Sequence, residues 1–493
     1  MDTKETVNQQ IEEAQHKNNV RLEHDSIGSK DVPCEAYYGV HSVRALENFP
    51  ITGTQMHPEM IKSLALLKKA CAVANASAGV LDQKIAKAIE YACDQIIEGN
   101  YHNQFIVDPI QGSAGTSMNM NANEVIANIA IEYLGKAKGD YSVIHPNDHV
   151  NFGQSTNDVI PTAGKITTIV LLHTLEAKLR TLRNSFAKKA KEFDSVIKMG
   201  RTQLQDAVPI RLGQEFHAYA TAVDRGVNRI SKAETELYTI NMGGTAVGTG
   251  LNADETYCSI ITQSLAAITG IPFQQADDLI DATQNIDCFA SVSSAIKNCA
   301  ISISKIANDL RLMSSGPKTG LGEINLPAKQ NGSSIMPGKV NPVIPEVVSQ
   351  VAFKVTGNDV TIAMAVEAGQ LELNAFEPVV FDCLFQSIDM LGNAIDTFVN
   401  NCIEGITANE ERCKFLLDSS VGIVTALCPH IGYAKSAKLA KEALAKNISI
   451  RELILNENIL DQKKLDIILN AYSMTAPGIS GKELILDKVA KGA

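Results

Sequence analysis

Between Phe289 and Met313 the chain places apolar residues at alternating spacings of three and four: Phe289, Val292, Ile296, Cys299, Ile303, Ile306, Leu310 and Met313. Leu172, Leu175, Leu179, Leu182 and Phe186 repeat the pattern. A strand alternates faces every second residue and cannot keep such a stripe on one side, whereas a helix keeps all of it on one face. A seam of this length therefore calls for long helices packed nearly parallel in a bundle. Further long helices are expected over 210–240, 343–367 and 371–404, the last kinked at Pro378. The Ala-, Ser- and Thr-rich remainder of these stretches points to other buried faces, against partner subunits. A monomeric bundle with a polar outside remains open on periodicity alone.

The expected class is all-α (mainly α), and composition agrees. Aromatics make up 5% of the chain and Trp is absent, so packing falls to aliphatic side chains. At 493 residues the chain exceeds what one core can hold. The expected divisions are a mobile polar tail over 1–28, an N-terminal helical domain over 29–154, a central long-helix bundle over 155–405 and a small C-terminal helical domain over 406–493, its short helices at Tyr433–Lys446, Ile450–Asn456 and Asp461–Ala471.

A formal net charge of −11 argues against nucleic acid as partner, because phosphate binding needs a basic surface. No apolar run approaches the roughly 18–20 residues that span a membrane. The polar, acidic start MDTKETVNQQIEEAQ is neither a secretory signal nor an Arg-rich transit peptide. Ten Cys without a C-x-x-C pair fit reduced thiols, and the expected compartment is cytoplasmic.

Four polar, Gly-containing segments interrupt the helices: Gly115-Thr116-Ser117 in QGSAGTSMNMN, Ser155-Thr156-Asn157 in HPNDHVNFGQSTND, Gly200-Arg201-Thr202-Gln203 in GRTQLQDAVP, and GSSIMPGKVNP from Gly332 to Pro342. Each is expected to precede a helix, whose unpaired N–H groups and positive dipole end suit carboxylates. Ser, Thr and Asn also cap helices as their commonest task. Four such segments together point to a polar site assembled from loops at the ends of a bundle. In GSSIMPGKVNP two glycines and a proline keep the loop out of the helix, and Lys339 and Asn341 lead into the next one. A serine beside a lysine and helix N–H groups loses its proton more easily than in water.

These segments, with GGTAVGTGLN, SSGPKTGLGEINLP, NPVIPEVVSQVAFKVTGND and AYYGVHSVRALENF, resemble the aspartase/fumarase superfamily over about residues 20–475, and within it the ammonia-lyases. The resemblance implies a homotetramer around about twenty helices, roughly five per subunit, with each site shared by three subunits. It implies reversible conversion of L-aspartate to fumarate and ammonium, with Ser333 as an alkoxide base and an aci-carboxylate intermediate. Ser334, Thr156, Lys339 and Asn341 would then hold carboxylates. Thr116, Asn157 and Gln203 would meet the amino group, with Ser155 and Thr202 supporting. Arg44 is either a carboxylate or activator contact or a surface ion pair. No cofactor is implied; a divalent cation such as Mg²⁺ enters at most as an activator.

The alternatives within the resemblance are a class II fumarase and a catalytically silent structural member. Class II fumarases carry His where Gln203 stands, paired with a Glu at the position of Glu346. Gln cannot titrate, so that dyad is missing. His145 and His149 sit at i, i+4, a spacing that binds zinc on a helix, but Pro146 between them favours a turn. The resemblance places His145 near a second anion site instead. GGTAVGTG lacks the Lys-Ser/Thr of a phosphate loop.

Overall fold

The computed structural model describes residues 3–16 and 19–490. Two compact units emerge. One comprises Met1–Glu176, Asn228–Ala300 and Phe353–Gly392, the other Ala177–Val227, Ile301–Ala352 and Asn393–Ala493. Five long helices each contribute residues to both: Thr156–Glu192, Leu212–Glu234, Asp287–Met313, Val343–Glu367 and Glu377–Asn401.

The seam residues are buried as their spacing requires. From Phe289 to Met313 none exceeds 5% exposure, and from Leu172 to Phe186 none exceeds 1%. Phe186 meets Phe216 and Phe398 edge-on or tilted, tying three long helices together. The helix Val343–Glu367 shows a second stripe. Phe353, Val360 and Met364 lie on one face at 67%, 56% and 69% exposure, and Gly357 between them has open space where a Cβ would point. A surface this apolar along a helix is unusual for a lone chain.

Two expectations about element ends need correcting. The helix expected over 371–404 begins at Glu377 and is not kinked at Pro378, because Pro378 falls in the first turn, where no intrahelical N–H is required. Nor is the N-terminal segment a tail. Thr3–His16 is a helix, and Val20–Asp25 pairs antiparallel with Gly28–Pro33. Residues 1, 2, 17 and 18 lie outside the described residues. What fastens the hairpin is Arg21. Its guanidinium donates to the carbonyls of Pro33, Cys34, Ala36 and Tyr38 at 2.8–3.2 Å and to Glu23 at 2.7 Å. Glu23, itself buried, accepts from Val40 N–H at 2.9 Å.

In the second unit the short helices Tyr433–Lys446, Ile450–Asn456 and Gln462–Ile468 close a core of Leu427, Leu439, Leu453, Ile454, Leu465 and Ile468 that also takes in Met199. Among the described residues no helix is long and apolar enough to cross a membrane.

Candidate active site

In the first unit the chain enters the helix Thr116–Tyr133 through three consecutive left-handed residues, Ser113 (φ 63°), Ala114 (φ 52°) and Gly115 (φ 82°). Two of these carry a Cβ, which makes the turn strained, and such strain persists only where surroundings impose it. Thr116 Oγ1 donates to Ser113 C=O at 2.8 Å, and Gln111 Oε1 receives the Met118 N–H at 3.0 Å. From Met118 to Ile131 the helix is buried on every side, so Thr116 stands at the end of a rigid post.

The neighbouring start, Thr156–Glu192, abuts it. A Cβ on Gly115 would lie 3.0 Å from Ile160 Cγ2, and Asn119 Nδ2 donates to Thr156 Oγ1 at 3.3 Å. Here the sequence reading missed a residue that matters. Asp158 is fully buried and closes a reciprocal cap: its Oδ1 accepts Ser155 N–H at 2.9 Å, while Ser155 Oγ accepts Asn157 N–H at 3.2 Å. Its Oδ2 accepts Thr245 N–H at 3.1 Å. Burial pushes the Asp158 carboxyl up to about 6, opposed by the N–H groups of Ser155, Thr245 and Gly243. The signal was present as an S/T-x-x-acid spacing in Ser155–Asp158, the mark of a capping box.

The Gly-rich segment is the brace of this turn. Asn157 Nδ2 donates to Ala246 C=O at 2.7 Å, and Asn241 Nδ2 to Asn157 C=O at 3.0 Å. A Cβ on Gly248 would fall 2.5 Å from the Ile280 backbone, so that glycine is needed for close packing. His145 and His149 serve the turn Pro146–Val150. His149 Nδ1 accepts His145 N–H at 2.8 Å, and His145 Nδ1 accepts the N–H groups of Asn147 and Asp148 at 3.2 Å. Arg44 makes a two-pronged ion pair with Asp25 at 2.7 and 3.0 Å, which is the structural one of its two readings.

In the second unit, the expectation that GRTQ precedes a helix fails. Thr202 and Gln203 sit at the tip of an antiparallel hairpin, Ile197–Thr202 with Gln205–Arg211, and the helix starts only at Leu212. Gln203 (φ 55°) and Leu204 (φ 62°) both adopt the left-handed conformation of a tight two-residue turn. Fully buried Glu323 anchors the hairpin through Arg201 at 2.7 Å and Lys198 at 2.9 Å. Thr202 and Gln203 are themselves exposed.

The Gly332–Pro342 loop is closed at its neck. Gly332 N–H donates to Lys339 C=O at 2.9 Å and Asn341 Nδ2 to Gly332 C=O at 2.6 Å. Beyond that neck Ser334 and Lys339 are exposed, as is Ile335 at 83%. The next helix starts at Val343, two residues after Asn341. Ser333 Oγ accepts two backbone N–H groups, from Ile335 at 3.2 Å and Met336 at 3.0 Å. Glu346 lies 3.6 Å from Arg311.

One chain thus gathers Thr116, Ser155, Thr156 and Asn157 in one unit, and carries Thr202, Gln203, Ser333, Ser334, Lys339 and Asn341 in the other. These small polar side chains therefore sit on turns and loops beside long helices with apolar seams. A family profile described as "Lyase" matches residues 28–357, and one described as "Fumarase C C-terminus" matches residues 423–476. The chain belongs to this family of lyases, the aspartase/fumarase superfamily. It is 58% identical to an aspartate ammonia-lyase of Bacillus sp, over 94% of this chain and 99% of that one. An aspartate ammonia-lyase of Bacillus subtilis (strain 168) is 55% identical over 94% of this chain and 98% of its own. Among solved structures, a fumarate lyase:delta crystallin from Brucella melitensis bound to cobalt superposes with a TM-score of 0.91. It is 46% identical and covers 93% of this chain and 100% of that chain.

Proposed function

We propose that this carbon–nitrogen lyase takes ammonium from L-aspartate to leave fumarate, reversibly, with Ser333 as the base. The observation that carries the base is the pair of N–H groups aimed at Ser333 Oγ. Two backbone donors on one hydroxyl oxygen favour its anion over the neutral form. The substrate assignment rests on the aspartate ammonia-lyases at 58% and 55% identity and on Gln203, which cannot run the acid/base chemistry of water addition.

The chemistry is demanding at one place. The C3 proton sits beside a carboxylate, and its removal is tolerable only if the charge flows into that carboxylate as an aci-carboxylate dianion. Catalysis is then electrostatic preorganisation around one carboxylate plus a well-placed base. Ser334, Thr156, Lys339 and the second N–H of Asn341 hold carboxylates. Thr116, Asn157 and Gln203 hold the amino group, with Ser155 and Thr202 supporting. The chain's own groups supply every step and no cofactor enters; Mg²⁺ acts at most as an activator.

The assembly belongs to the same reading. A homotetramer built on the five long helices of each chain lets three subunits complete each site. The exposed Phe353, Val360 and Met364 stripe supports it, because such a face matches helix-to-helix packing between copies. Residues 155–405 form its bundle, flanked by the 29–154 and 406–493 domains. Ten free thiols support a reducing, cytoplasmic setting. The test follows fumarate absorbance from L-aspartate, with malate and D-aspartate alongside. Faster fumarate formation from malate would replace this reading with a hydratase.

A further inference from the structure

Behind the braced turn lies a charge that the chemistry above does not use. Lys68, on the helix Pro58–Ser77, has no exposed surface. Its Nζ donates to Asn151 Oδ1 and to Gln154 Oε1, both at 2.8 Å, and both acceptors are neutral amides. Asn151 Oδ1 also accepts from Nδ2 of Asn119 at 3.1 Å and of Asn123 at 3.2 Å. Asn119 Nδ2 is the same group that reaches Thr156 Oγ1 at 3.3 Å. Asn151 Nδ2 returns to Gln154 C=O at 3.1 Å, and Asn75 Nδ2 fastens Phe152 C=O at 2.9 Å. The ammonium therefore stands one hydrogen bond from Gln154, the residue before Ser155, and three from Thr156, by way of Asn151 and Asn119.

Burying an ammonium among amides costs more than burying an apolar side chain of its size. A methionine would fill the same space, so packing alone does not explain the choice of lysine. We propose that Lys68 is a positioning residue: its ammonium sets the Asn151 and Gln154 amides, and through them fixes Ser155, Thr156 and Asn157 in the geometry that receives substrate. The inference rests on the placement of substrate at those three residues.

The proton on Nζ is part of the device. As an amine, Lys68 would keep two N–H donors for the Asn151 and Gln154 oxygens, but without the charge that makes those two bonds strong. Burial lowers the Lys68 ammonium to about 8, opposed by Cys71 on its own helix, Asp158 on Thr156–Glu192 and Cys93 on Gln83–Ile97. Among the other groups packed here, Tyr257 donates to Cys71 Sγ at 3.4 Å and is pushed well above its ordinary range by burial. Cys71 is likewise raised by burial, to about 12, and Cys93 is raised too, so both thiols stay neutral where Lys68 titrates. Asp158, at about 6, is already ionised there and stays so. Loss of the Lys68 proton near pH 8 is expected to loosen the turn and weaken substrate capture.

The test compares kcat and KM of the full-length enzyme from pH 6.5 to 9.5 with Lys68→Met, using whichever of L-aspartate or malate the wild-type chain turns over. Failure of the aspartate reading then leaves this comparison intact. Lys68→Met is expected to raise KM about tenfold or more with kcat within about threefold, since a loosened binding turn removes uniform binding. It is also expected to lose the fall in kcat/KM that the wild type shows above about pH 8. A purely structural lysine would change melting temperature and leave KM and the pH profile as they were. That outcome overturns the proposal. If Lys68→Met does not fold, Gln154→Met removes the acceptor next to Ser155 while leaving Lys68 on Asn151. A several-fold rise in KM supports the proposal, and a wild-type KM refutes it.

Discussion

The turn before Thr156–Glu192 and the loop before Val343–Glu367 begin alike, as polar residues leading into a long helix. They are held in opposite ways. Ser155–Asp158 is gripped from beneath by a buried carboxylate, by Asn241 and Ala246, and by amides bonded to Lys68. Gly332–Pro342 is closed at its neck by two hydrogen bonds, and Ile335, Met336 and Val340 beyond it are exposed. The first is a turn held on several sides. The second is a loop tied at its neck, with an exposed apolar tip. On the proposed reading the braced turn supplies substrate contacts, and the loop supplies Ser333 together with the contacts of Ser334, Lys339 and Asn341.

Ser333→Ala should show the largest effect, since it removes the base and leaves the carboxylate contacts. A fall in kcat of at least about 10²–10⁴-fold is expected, with assembly intact. Retention of more than about a tenth of the wild-type rate would falsify Ser333 as the base. If the two halves of a site come from different subunits, a Ser333→Ala chain and a Thr116→Ala chain should rescue one another. Mixed tetramers, verified by a tag on one parent, should regain a sizeable fraction of activity. Proven mixtures as inactive as both parents would show that a single chain supplies the whole site.

Matched truncations sharpen the contrast in stability. Asp158→Ala orphans the N–H groups of Ser155 and Thr245 in a buried place, so about 1–3 kcal/mol of stability should go, read from denaturant midpoints. Asn341→Ala opens only the half-exposed neck of the loop, and should lower kcat/KM while shifting stability by about 0.5 kcal/mol or less. Equal losses of stability would erase the distinction.

A different kind of effect is a pH dependence centred on two buried carboxyls of the braced unit. Burial pushes Glu124 up to about 7 and Asp158 up to about 6, against the hydrogen bonds each accepts. A carboxyl raised in the folded state contributes stability that is full below its ordinary range and lost as pH rises through its raised value. Melting temperature should therefore fall between about pH 4 and pH 7. Asp158→Asn, which cannot ionise, should flatten the slope by up to about 3 kcal/mol, or 1.4 kcal/mol per pKa unit. An unchanged slope would show that the N–H donors hold Asp158 as an ordinary carboxylate.

The bundle was legible because a seam is written as spacing, and Phe289 to Met313 keeps its register whatever surrounds it. Ser155 and Thr116 were legible as polar residues at helix starts. The hairpin under Gln203 was not, because Gln203 and Leu204 occupy left-handed positions where Gly or Asn would have signalled a turn. Arg21 hid the N-terminal hairpin for a related reason: a charge bonded to four carbonyls looks in sequence like a solvated one. Lys68 in LALLKKA reads as the wet side of an amphipathic helix, yet it is the neighbouring Lys69 that reaches the half-exposed Asp94. Tertiary partners, not local pattern, decided each case.

The 37-residue helix Thr156–Glu192 opens at the braced turn and carries the Leu172–Phe186 seam in its middle. Each residue advances a helix by about 100°. A single codon inserted between Asn157 and Leu172 would swing every later seam position off its face while leaving the turn untouched. Substitutions can drift through this stretch one at a time, but its length is locked. Lineages that keep the site should therefore vary in length in the surface connections and at the two termini, and nowhere along the inside of this helix.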